Sequence, residues 1–273
     1  MANEASFDRD AFSHALRTRR MGRTLIARAS VESTMDVAWD ALAEGMPDGT
    51  AVVADQQTRG RGRGGRSWWM PPGRALAISL ALHPGCDARE MGTLPLVAGL
   101  ALAEALETLA ASADSVPGTR LPGARLRARL KWPNDVLVNG RKLAGILLES
   151  RSVAEPVVVV GIGVNLRQRT FSPGLAETAT SVDLEGGRAV GREELLEAVL
   201  AAFDRWRGAL ESAGFAPLRA RWLAIAETIG RAVTVGEHAG IAVDLAEDGA
   251  LVLRHGAGLQ RVFAGEVTTS RAG

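Results

Sequence analysis

Cysteine and tyrosine are the residue types that this sequence uses least. Tyrosine does not occur among the 273 residues, and cysteine occurs once, as Cys86. A single cysteine cannot form an internal disulfide and cannot build a metal site by itself, so it favours a reducing compartment. The lack of tyrosine accompanies a high content of alanine, glycine and arginine, and we attribute it to genomic base composition rather than to function.

An excess of charge of either sign is also missing. The 32 basic and 31 acidic residues leave a formal net charge of +1. Proteins that bind nucleic acid usually show a clear basic excess, so any anion site here must be a local cluster. The first 25 residues lack the apolar segment of a signal peptide, and the longest apolar stretch, 94–103, is about half of a membrane span. We therefore predict a cytoplasmic protein without a membrane partner.

The residues that are present suffice for a large core, because 47% are hydrophobic and 23% are charged. Periodicity predicts strands at 24–29, 50–55, 76–82 and 157–166, and helices at 33–44, 94–109 and 193–213. From about Ile229 the pattern becomes all-β, which indicates a small barrel. Strands and helices do not alternate regularly, so we predict an α+β fold rather than a doubly wound sheet. We place one domain at 24–225 and a second at 226–270.

The most informative segment is QTRGRGRGGRSW, residues 57–68. Four arginines and four glycines fall within eight residues, 59–66. Glycine lets the backbone approach a ligand, and arginine supplies forked donors for phosphate or carboxylate. The composition therefore predicts a cationic loop that closes over an anion.

Other interpretations of this loop remain open. Gly60, Gly62 and Gly65 match the spacing of a dinucleotide-binding fingerprint, but Trp-Trp-Met-Pro-Pro follows where that fingerprint needs a helix. The Gly-Lys-Ser/Thr of a phosphate-binding P-loop is absent. An Arg/Gly segment for RNA would normally be longer and repeated. A solvated loop without a ligand is the remaining alternative.

A second cluster surrounds an Asn-Gly pair at 139–140, which predicts a two-residue hairpin turn. Pairing the strands outward places Leu137 opposite Lys142 and Asp135 opposite Ala144. Lys142 and Asp135 then become diagonal neighbours on one face. Placing an ammonium and a carboxylate on an apolar strand face costs free energy, so packing alone does not account for this pair. A surface ion pair on a half-exposed hairpin is the alternative.

These motifs together resemble those of the biotin protein ligases. The loop at 57–68 is similar to the biotin-binding loop of that family, and KWPNDVL at 131–137, KLAGILLE at 142–149 and GIGVN at 161–165 follow in the family's order. Ser33-Thr34 matches the start of a Ser-Thr-Asn element upstream. The resemblance spans about residues 24–270. It implies a mixed β-sheet catalytic domain flanked by helices, of the class II synthetase-like biotin/lipoate ligase type, with a small C-terminal SH3-like β-barrel.

The resemblance also implies an activity. We expect an ATP-dependent ligase that, with Mg²⁺, converts biotin to biotinyl-5′-AMP and passes it to a lysine of a biotin carboxyl carrier protein of acetyl-CoA carboxylase or a related carboxylase. The expected catalytic residues are Lys142, Arg61 and Arg63. The expected biotin contacts are Ser33, Thr34, Met35, Gln57, Gly60, Arg61, Gly62, Arg63, Lys142, Gly145, Leu147 and Gly161. The expected nucleotide contacts are Arg61, Arg63, Arg66, Trp68, Lys131, Asn134, Asp135 and Asn165. No residue is assigned as a metal ligand.

Two departures from the family's pattern bear on these expectations. Met35 stands where the Ser-Thr-Asn element has its amide, and Gly64 stands where many relatives carry a basic residue. Only about 23 residues precede the first catalytic strand, so we expect no helix-turn-helix domain and no DNA binding. A homodimer is left open. The alternative enzyme is a lipoate or octanoyl ligase of the same fold, and a more distant alternative is an Arg/Gly RNA-binding module.

Overall fold

The computed structural model of the protein describes residue 7 and residues 9–83, 91–114, 126–152, 156–186 and 190–269; Cys86 lies outside them. The helices are α1 (Arg9–Ala15), α2 (Thr34–Ala43), α3 (Leu94–Asp114), α4 (Arg192–Ala213) and α5 (Ala216–Ala224). The strands of the large sheet are β1 (Leu25–Val31), β2 (Thr50–Gln57), β3 (Ala75–Leu82), β4 (Ala128–Lys131), β5 (Asp135–Val138), β6 (Arg141–Ser152) and β7 (Pro156–Asn165). The small sheet contains β8 (Ala232–Val235), β9 (His238–Leu245), β10 (Leu251–His255), β11 (Gly258–Val262) and β12 (Val267–Thr269).

The large sheet has the strand order β1-β2-β3-β7-β6-β5-β4. Strands β1 and β2 pair in parallel, and the other neighbours are antiparallel. Every residue of β3 is buried, and accordingly its sequence is apolar except for Ser79 and shows no alternation of apolar and exposed polar residues. This mixed sheet confirms the predicted α+β fold, and the predicted strands and helices are present with ends that shift by a few residues.

Side-chain size separates the two faces of the sheet. On β3, the large side chains at 76, 78, 80 and 82 belong to the main core with α3 and α4. The alternate positions carry only small side chains, Ala75, Ala77, Ser79 and Ala81. Part of this second face is covered by α2, whose Met35 and Trp39 pack against Val52 and Val159. The small residues leave space above the sheet beside the N-terminus of α2, and the candidate site lies there.

Helix α2 begins at the edge of this space because of its cap. Ser33 has an extended backbone, and its side chain accepts a hydrogen bond from the Met35 backbone N–H at 3.3 Å. Ser33 and Asp36 have the spacing of a capping box, in which the Asp36 carboxylate would return to the cap. The structure differs, because the Asp36 carboxylate accepts from Arg61 instead.

The C-terminal segment forms a five-stranded antiparallel sheet in the order β11-β10-β9-β8-β12. This confirms the predicted all-β region, while its closure into an SH3-like barrel stays a prediction. The buried Trp132 joins it to the large sheet: its backbone N–H donates to Thr228 Oγ1 at 2.9 Å and its indole N–H to the Gly249 carbonyl at 3.0 Å. Of the described helices, none is long and apolar enough to cross a bilayer.

Candidate active site

A cavity of about 470 Å³ opens above the small-residue face of the large sheet. Its walls are the loop at 57–68, the β5–β6 hairpin and the segment 171–179. Every site residue expected from the sequence lines this cavity except Gly60. The structure therefore brings the predicted residues together, although their individual roles remain predictions.

The glycine/arginine loop, residues 57–68, is folded as a narrow hairpin rather than an irregular turn. The Trp68 backbone N–H donates to the Gly60 carbonyl at 2.8 Å, and the Gly62 N–H donates to the Arg66 carbonyl at 2.7 Å. The tip at 63–65 is one 3₁₀ turn with positive φ at Gly64 (+64°) and Gly65 (+74°). A Cβ on Gly60 would lie 2.5 Å from the Trp68 carbonyl oxygen. Gly60 therefore shapes the neck of the loop.

Arg61 is held by two carboxylates of the catalytic domain. Its Nη1 donates to both oxygens of Asp36, at 2.7 and 2.9 Å, and its Nε donates to Glu149 Oε1 at 3.2 Å. Partial burial alone would lower the pKa of Arg61, but the bonds to Asp36 and Glu149 outweigh it and raise the pKa. Arg61 therefore lies in the cavity wall as a fixed cation.

Two other loop arginines reach residues from elsewhere in the chain. Arg63 Nη1 donates to Asn134 Oδ1 and to the Gly265 carbonyl, both at 3.2 Å. Arg66 Nη1 lies 2.7 Å from Glu266 Oε1. The hydrogen bond from Arg66 lowers the pKa of Glu266, and the nearby lysines of the cavity add to this effect. Glu266 lines the cavity, and the sequence reasoning missed it because nothing local marks a contact across 200 residues.

The β5–β6 hairpin presents Lys142 beside Asp135. Its turn has positive φ at Asn139 (51°) and Gly140 (75°), as the Asn-Gly pair predicts. Leu137 pairs with Lys142 as expected, but Asp135 pairs with Gly145, not Ala144. The predicted register is wrong there because β6 carries one additional residue, Leu143, which forms a bulge and is fully buried.

The bulge leaves the main prediction about this hairpin intact. Lys142 and Asp135 share a face, and Lys142 Nζ lies 2.6 Å from Asp135 Oδ1. That oxygen is buried, and at this distance the ammonium is its partner. Lys131 and Lys142 are the only lysines in the sequence, and both line the cavity.

The segment 178–185 fixes the backbone of Lys142 from outside the sheet. Lys142 donates its N–H to the Thr178 carbonyl at 2.7 Å, and its own carbonyl accepts from Thr180 at 2.9 Å. The buried Glu185 bonds to Asn139, Arg141 and Thr180 and joins this segment to the hairpin. The sequence reasoning missed four cavity residues of this region, namely Phe171, Leu175, Thr178 and Ala179.

The floor of the cavity consists of glycines covered by two large side chains. A Cβ on Gly161 would lie 3.0 Å from Met35 Sδ, and one on Gly163 would lie 2.4 Å from the Trp68 ring. Trp68 also lies 5.9 Å from Lys142 Nζ, and its buried indole N–H has no hydrogen-bond acceptor. Gly163 was missed by the sequence reasoning, although it stands two residues after Gly161 on the same strand face.

A polar group lies at the α2 end of the cavity. The Thr34 N–H and hydroxyl both donate to Gln57 Oε1, at 2.8 and 2.9 Å, and the Thr34 hydroxyl also lies 2.8 Å from Ser79 Oγ. Ser79 was not predicted. The alternation of small residues along β3 was the signal that could have identified it.

Two predicted polar residues at the hairpin side have partners within the protein. The Asn134 amide donates to the Ile146 carbonyl at 2.8 Å, so this side chain joins β6 to Arg63. The Asn165 amide donates to the Thr180 carbonyl at 3.0 Å and its oxygen accepts from Gln168. Trp132, which belongs to the same KWPNDVL motif, is buried and does not line the cavity.

Acidic groups are scarce around the cavity. Asp135 and Glu266 are the carboxylates among its described lining residues. Across the described parts of the chain, no group of three or more His, Cys, Asp or Glu side chains is arranged to hold a metal ion. Among the described lining residues, five cationic side chains therefore stand against two carboxylates.

Comparisons with known proteins agree with one another. The sequence model of the Biotin/lipoate A/B protein ligase family matches residues 27–166, and that of the Biotin protein ligase C terminal domain matches 228–268. The chain is 42% identical over 235 residues to the biotin–[acetyl-CoA-carboxylase] ligase of Paracoccus denitrificans, which covers 83% of this chain and 92% of the relative. The corresponding ligase of Mycobacterium tuberculosis is 34% identical, with coverage of 82% and 80%.

A solved structure gives the same match in three dimensions. The biotin protein ligase of Aquifex aeolicus in complex with biotin and ATP superposes with a TM-score of 0.74. It is 29% identical to this chain and covers 92% of this chain and 100% of its own.

Proposed function

This chain belongs to the biotin/lipoate A/B protein ligase family, and we propose that it is an ATP-dependent biotin–protein ligase. In the proposed reaction it activates biotin as biotinyl-5′-AMP and transfers the acyl group to a lysine of a biotin carboxyl carrier protein. The relative from Paracoccus supports biotin as the acid and a subunit of acetyl-CoA carboxylase as the acceptor.

The observation that carries the proposal is the convergence of cations on one cavity of suitable size. Lys142, Arg63 and Arg66 line the same cavity of about 470 Å³, within the range of small-ligand sites. Its floor of glycines is covered by the side chains of Met35 and Trp68, two apolar surfaces against which a ring system can pack, and polar groups at Thr34 and Gln57 lie at one end. A carboxylic acid and a nucleotide phosphate would both meet positive charge here.

In the first step, a carboxylate oxygen of biotin attacks the α-phosphorus of ATP. The new P–O bond replaces the bond to the outer phosphates, and pyrophosphate leaves. Negative charge builds up on the α-phosphate oxygens, and fixed ammonium and guanidinium groups stabilise it because they need no rearrangement as the reaction proceeds. Lys142, held by the 178–180 segment through its backbone, is the group that we assign to this role.

In the second step, the ε-amine of the acceptor lysine attacks the carbonyl carbon of the mixed anhydride. The amide bond forms, the C–O bond to AMP breaks, and the amine releases one proton. The loop at 57–68 covers the cavity with Trp68 and so excludes water that would hydrolyse the anhydride. The mechanism therefore requires the loop to stay closed between the two steps.

Mg²⁺ fits this site as a cation that arrives with ATP. It prefers oxygen ligands and usually keeps several waters and phosphate oxygens, so it needs few protein ligands. The carboxylate of Asp135, which lines the cavity beside Lys142, supplies oxygens of the kind that suit it. When bound, Mg²⁺ would neutralise phosphate charge; the lysines and arginines of the chain position the substrates.

The decisive experiment measures pyrophosphate release from ATP and Mg²⁺ with either biotin or lipoate. We expect release with biotin and labelling of a carrier domain from acetyl-CoA carboxylase. Release with lipoate alone would support the lipoate ligase of the same fold, and no release with either acid would contradict the proposal.

Analytical ultracentrifugation with and without biotin and ATP tests the homodimer, and the division at residue 225 stays a prediction.

A further inference from the structure

The four arginines of the loop do not share one environment. Arg63 and Arg66 extend toward Asn134 and the C-terminal sheet. Arg61 instead turns toward the catalytic domain, where its Nε, Nη1 and Nη2 all donate to Asp36 or Glu149. A guanidinium with every nitrogen already engaged by carboxylates has little capacity left for a phosphate. These contacts of Arg61 attach the loop to the catalytic domain.

The two carboxylates are themselves attached to rigid elements. Asp36 lies in the first turn of α2, where a carboxylate is favoured by the helix dipole. Glu149 lies on β6 and also accepts the indole N–H of Trp39 at 2.8 Å. The Trp39 ring in turn packs beneath Arg151, whose guanidinium carbon is 4.1 Å from the ring centroid. The loop is therefore connected through Arg61 to both a helix and a strand of the core.

The other ion pairs of the loop are more exposed. Arg59 and Glu32 have side chains that are 76% and 65% exposed, and Arg66 and Glu266 are 58% and 67% exposed. The Arg61 side chain is 36% exposed, and those of its partners Glu149 and Asp36 are 32% and 49% exposed. Water and salt screen exposed pairs strongly, so the Arg61 contacts should contribute most to holding the loop.

We propose that Asp36 and Glu149 are positioning residues that hold the loop closed through Arg61 and thereby retain the activated acyl-nucleotide. The inference rests on the proposed function, since it concerns the intermediate of that reaction. Neither carboxylate is among the lining residues of the cavity. They act on the rate at which the loop opens, and not on the chemistry beneath it.

The test compares Asp36→Asn, Glu149→Gln and the double variant with Glu32→Gln. Glu32→Gln is the matched control, because it removes an ion pair to Arg59 of the same loop at an exposed position outside the cavity. The readouts are single-turnover pyrophosphate release, which reports adenylation, and transfer of biotin to serum albumin, which reports escape of the intermediate. Lysine side chains of the chain itself are confined to the cavity, so the label on albumin measures the escape cleanly.

We expect albumin labelling to rise about tenfold in the double variant, the effect of losing about 1.4 kcal/mol of loop closure. Adenylation should stay within about twofold, since an exposed or half-exposed pair contributes little to the fold. Glu32→Gln should match the wild type. In an Arg61→Ala background, the two carboxylate substitutions should add no further leakage, because all three residues act through one contact.

The outcomes separate the two proposals. If the wild type releases no pyrophosphate with biotin, the proposed function fails before any variant is compared, and this inference falls with it. If the wild type is active and the double variant leaks no more than Glu32→Gln, the proposed function stands and the anchoring role is wrong. Leakage that is additive with Arg61→Ala would also overturn it, since the carboxylates would then act independently of Arg61.

Discussion

Among the single residues of the site, Lys142 has the most constrained surroundings. Its ammonium faces Asp135 at 2.6 Å and Trp68 at 5.9 Å, and its backbone bonds to a segment outside the sheet. Lysine presents a compact charge on a flexible stem, whereas arginine presents a planar fork of different reach. In a chain with 32 basic residues and only two lysines, an ammonium at this point indicates a requirement for that shape.

Replacing Lys142 tests this requirement directly. Lys142→Ala should reduce single-turnover pyrophosphate release by about 100-fold or more, since it removes a fixed charge beside the developing phosphate charge. Lys142→Arg should restore only a small part of the rate. A rate for Lys142→Ala within a few-fold of the wild type would contradict the assignment.

Gly163 gives a second test at the residue scale. A methyl group there would meet the Trp68 ring at 2.4 Å, and a central strand cannot retreat from it. Gly163→Ala should therefore displace the indole and raise the KM for biotin by about tenfold. Gly174→Ala is the control, since nothing lies within 4 Å of its added carbon. Equal KM values for the two variants would show that Trp68 does not form part of the biotin site.

Single residues also show where sequence reasoning reaches its limit. Lys142 and Arg63 could be predicted because each lies in a local motif of charged residues. Packing alone does not account for charged residues at such positions. Glu266 could not be named, because it reaches the cavity through a contact across 200 residues of the chain and its neighbours in sequence carry no unusual chemistry. Ser79 and Gly163 had weaker signals, namely the small residues that alternate along β3 and the position two residues after Gly161.

At the scale of elements, the β5–β6 hairpin is the support of the site. Its turn followed from the Asn-Gly pair, but the bulge at Leu143 did not. Nothing in an apolar run indicates which residue will be left out of the strand pairing. The bulge is set by how Leu143 fits the core beneath it. The hairpin also depends on Glu185, a buried carboxylate that accepts bonds from two hairpin side chains.

Glu185 provides the prediction that belongs to this scale. Glu185→Ala would leave Arg141 and Thr180 without their shared acceptor, and we expect the free energy of unfolding to fall by about 3 kcal/mol. The rate of adenylation should fall as well, because the 178–180 segment that fixes the backbone of Lys142 loses its hydrogen bond to Glu185. Urea denaturation measures the first effect. Glu177→Ala, at an exposed position of the same segment, should leave both quantities unchanged.

At the scale of the whole molecule, the C-terminal sheet contributes to the cavity. Gly265 accepts from Arg63, and Glu266 pairs with Arg66, so the loop spans between two parts of the chain. Sequence patterns predicted an all-β C-terminal unit, yet they could not predict that it reaches the site. Such contacts arise from the docking of separate units, for which the local periodicity of a single sequence carries no signal.

The pair between Arg66 and Glu266 predicts a pH dependence. The pKa of Glu266 is lowered in the folded chain, so the pair stabilises the protein fully above the ordinary glutamate pKa of about 4.3 and loses its effect as pH falls through the lowered pKa. Glu266→Gln should lower Tm by about 1–2 °C above pH 5, a small effect because both side chains are largely exposed. The difference should vanish in stronger acid, and a constant difference at all pH values would contradict this account.

The confinement of both lysines to one cavity has a practical consequence. Reagents that acylate amines would find side-chain targets only at positions 131 and 142, so the extent of labelling by mass spectrometry becomes a count of accessible sites. Ligands that fill the cavity would protect both positions. The loss of acylation at these two lysines would then report how much of the cavity is occupied by ligand. It could be recorded in crude mixtures, without purifying substrate or product and without altering a single residue.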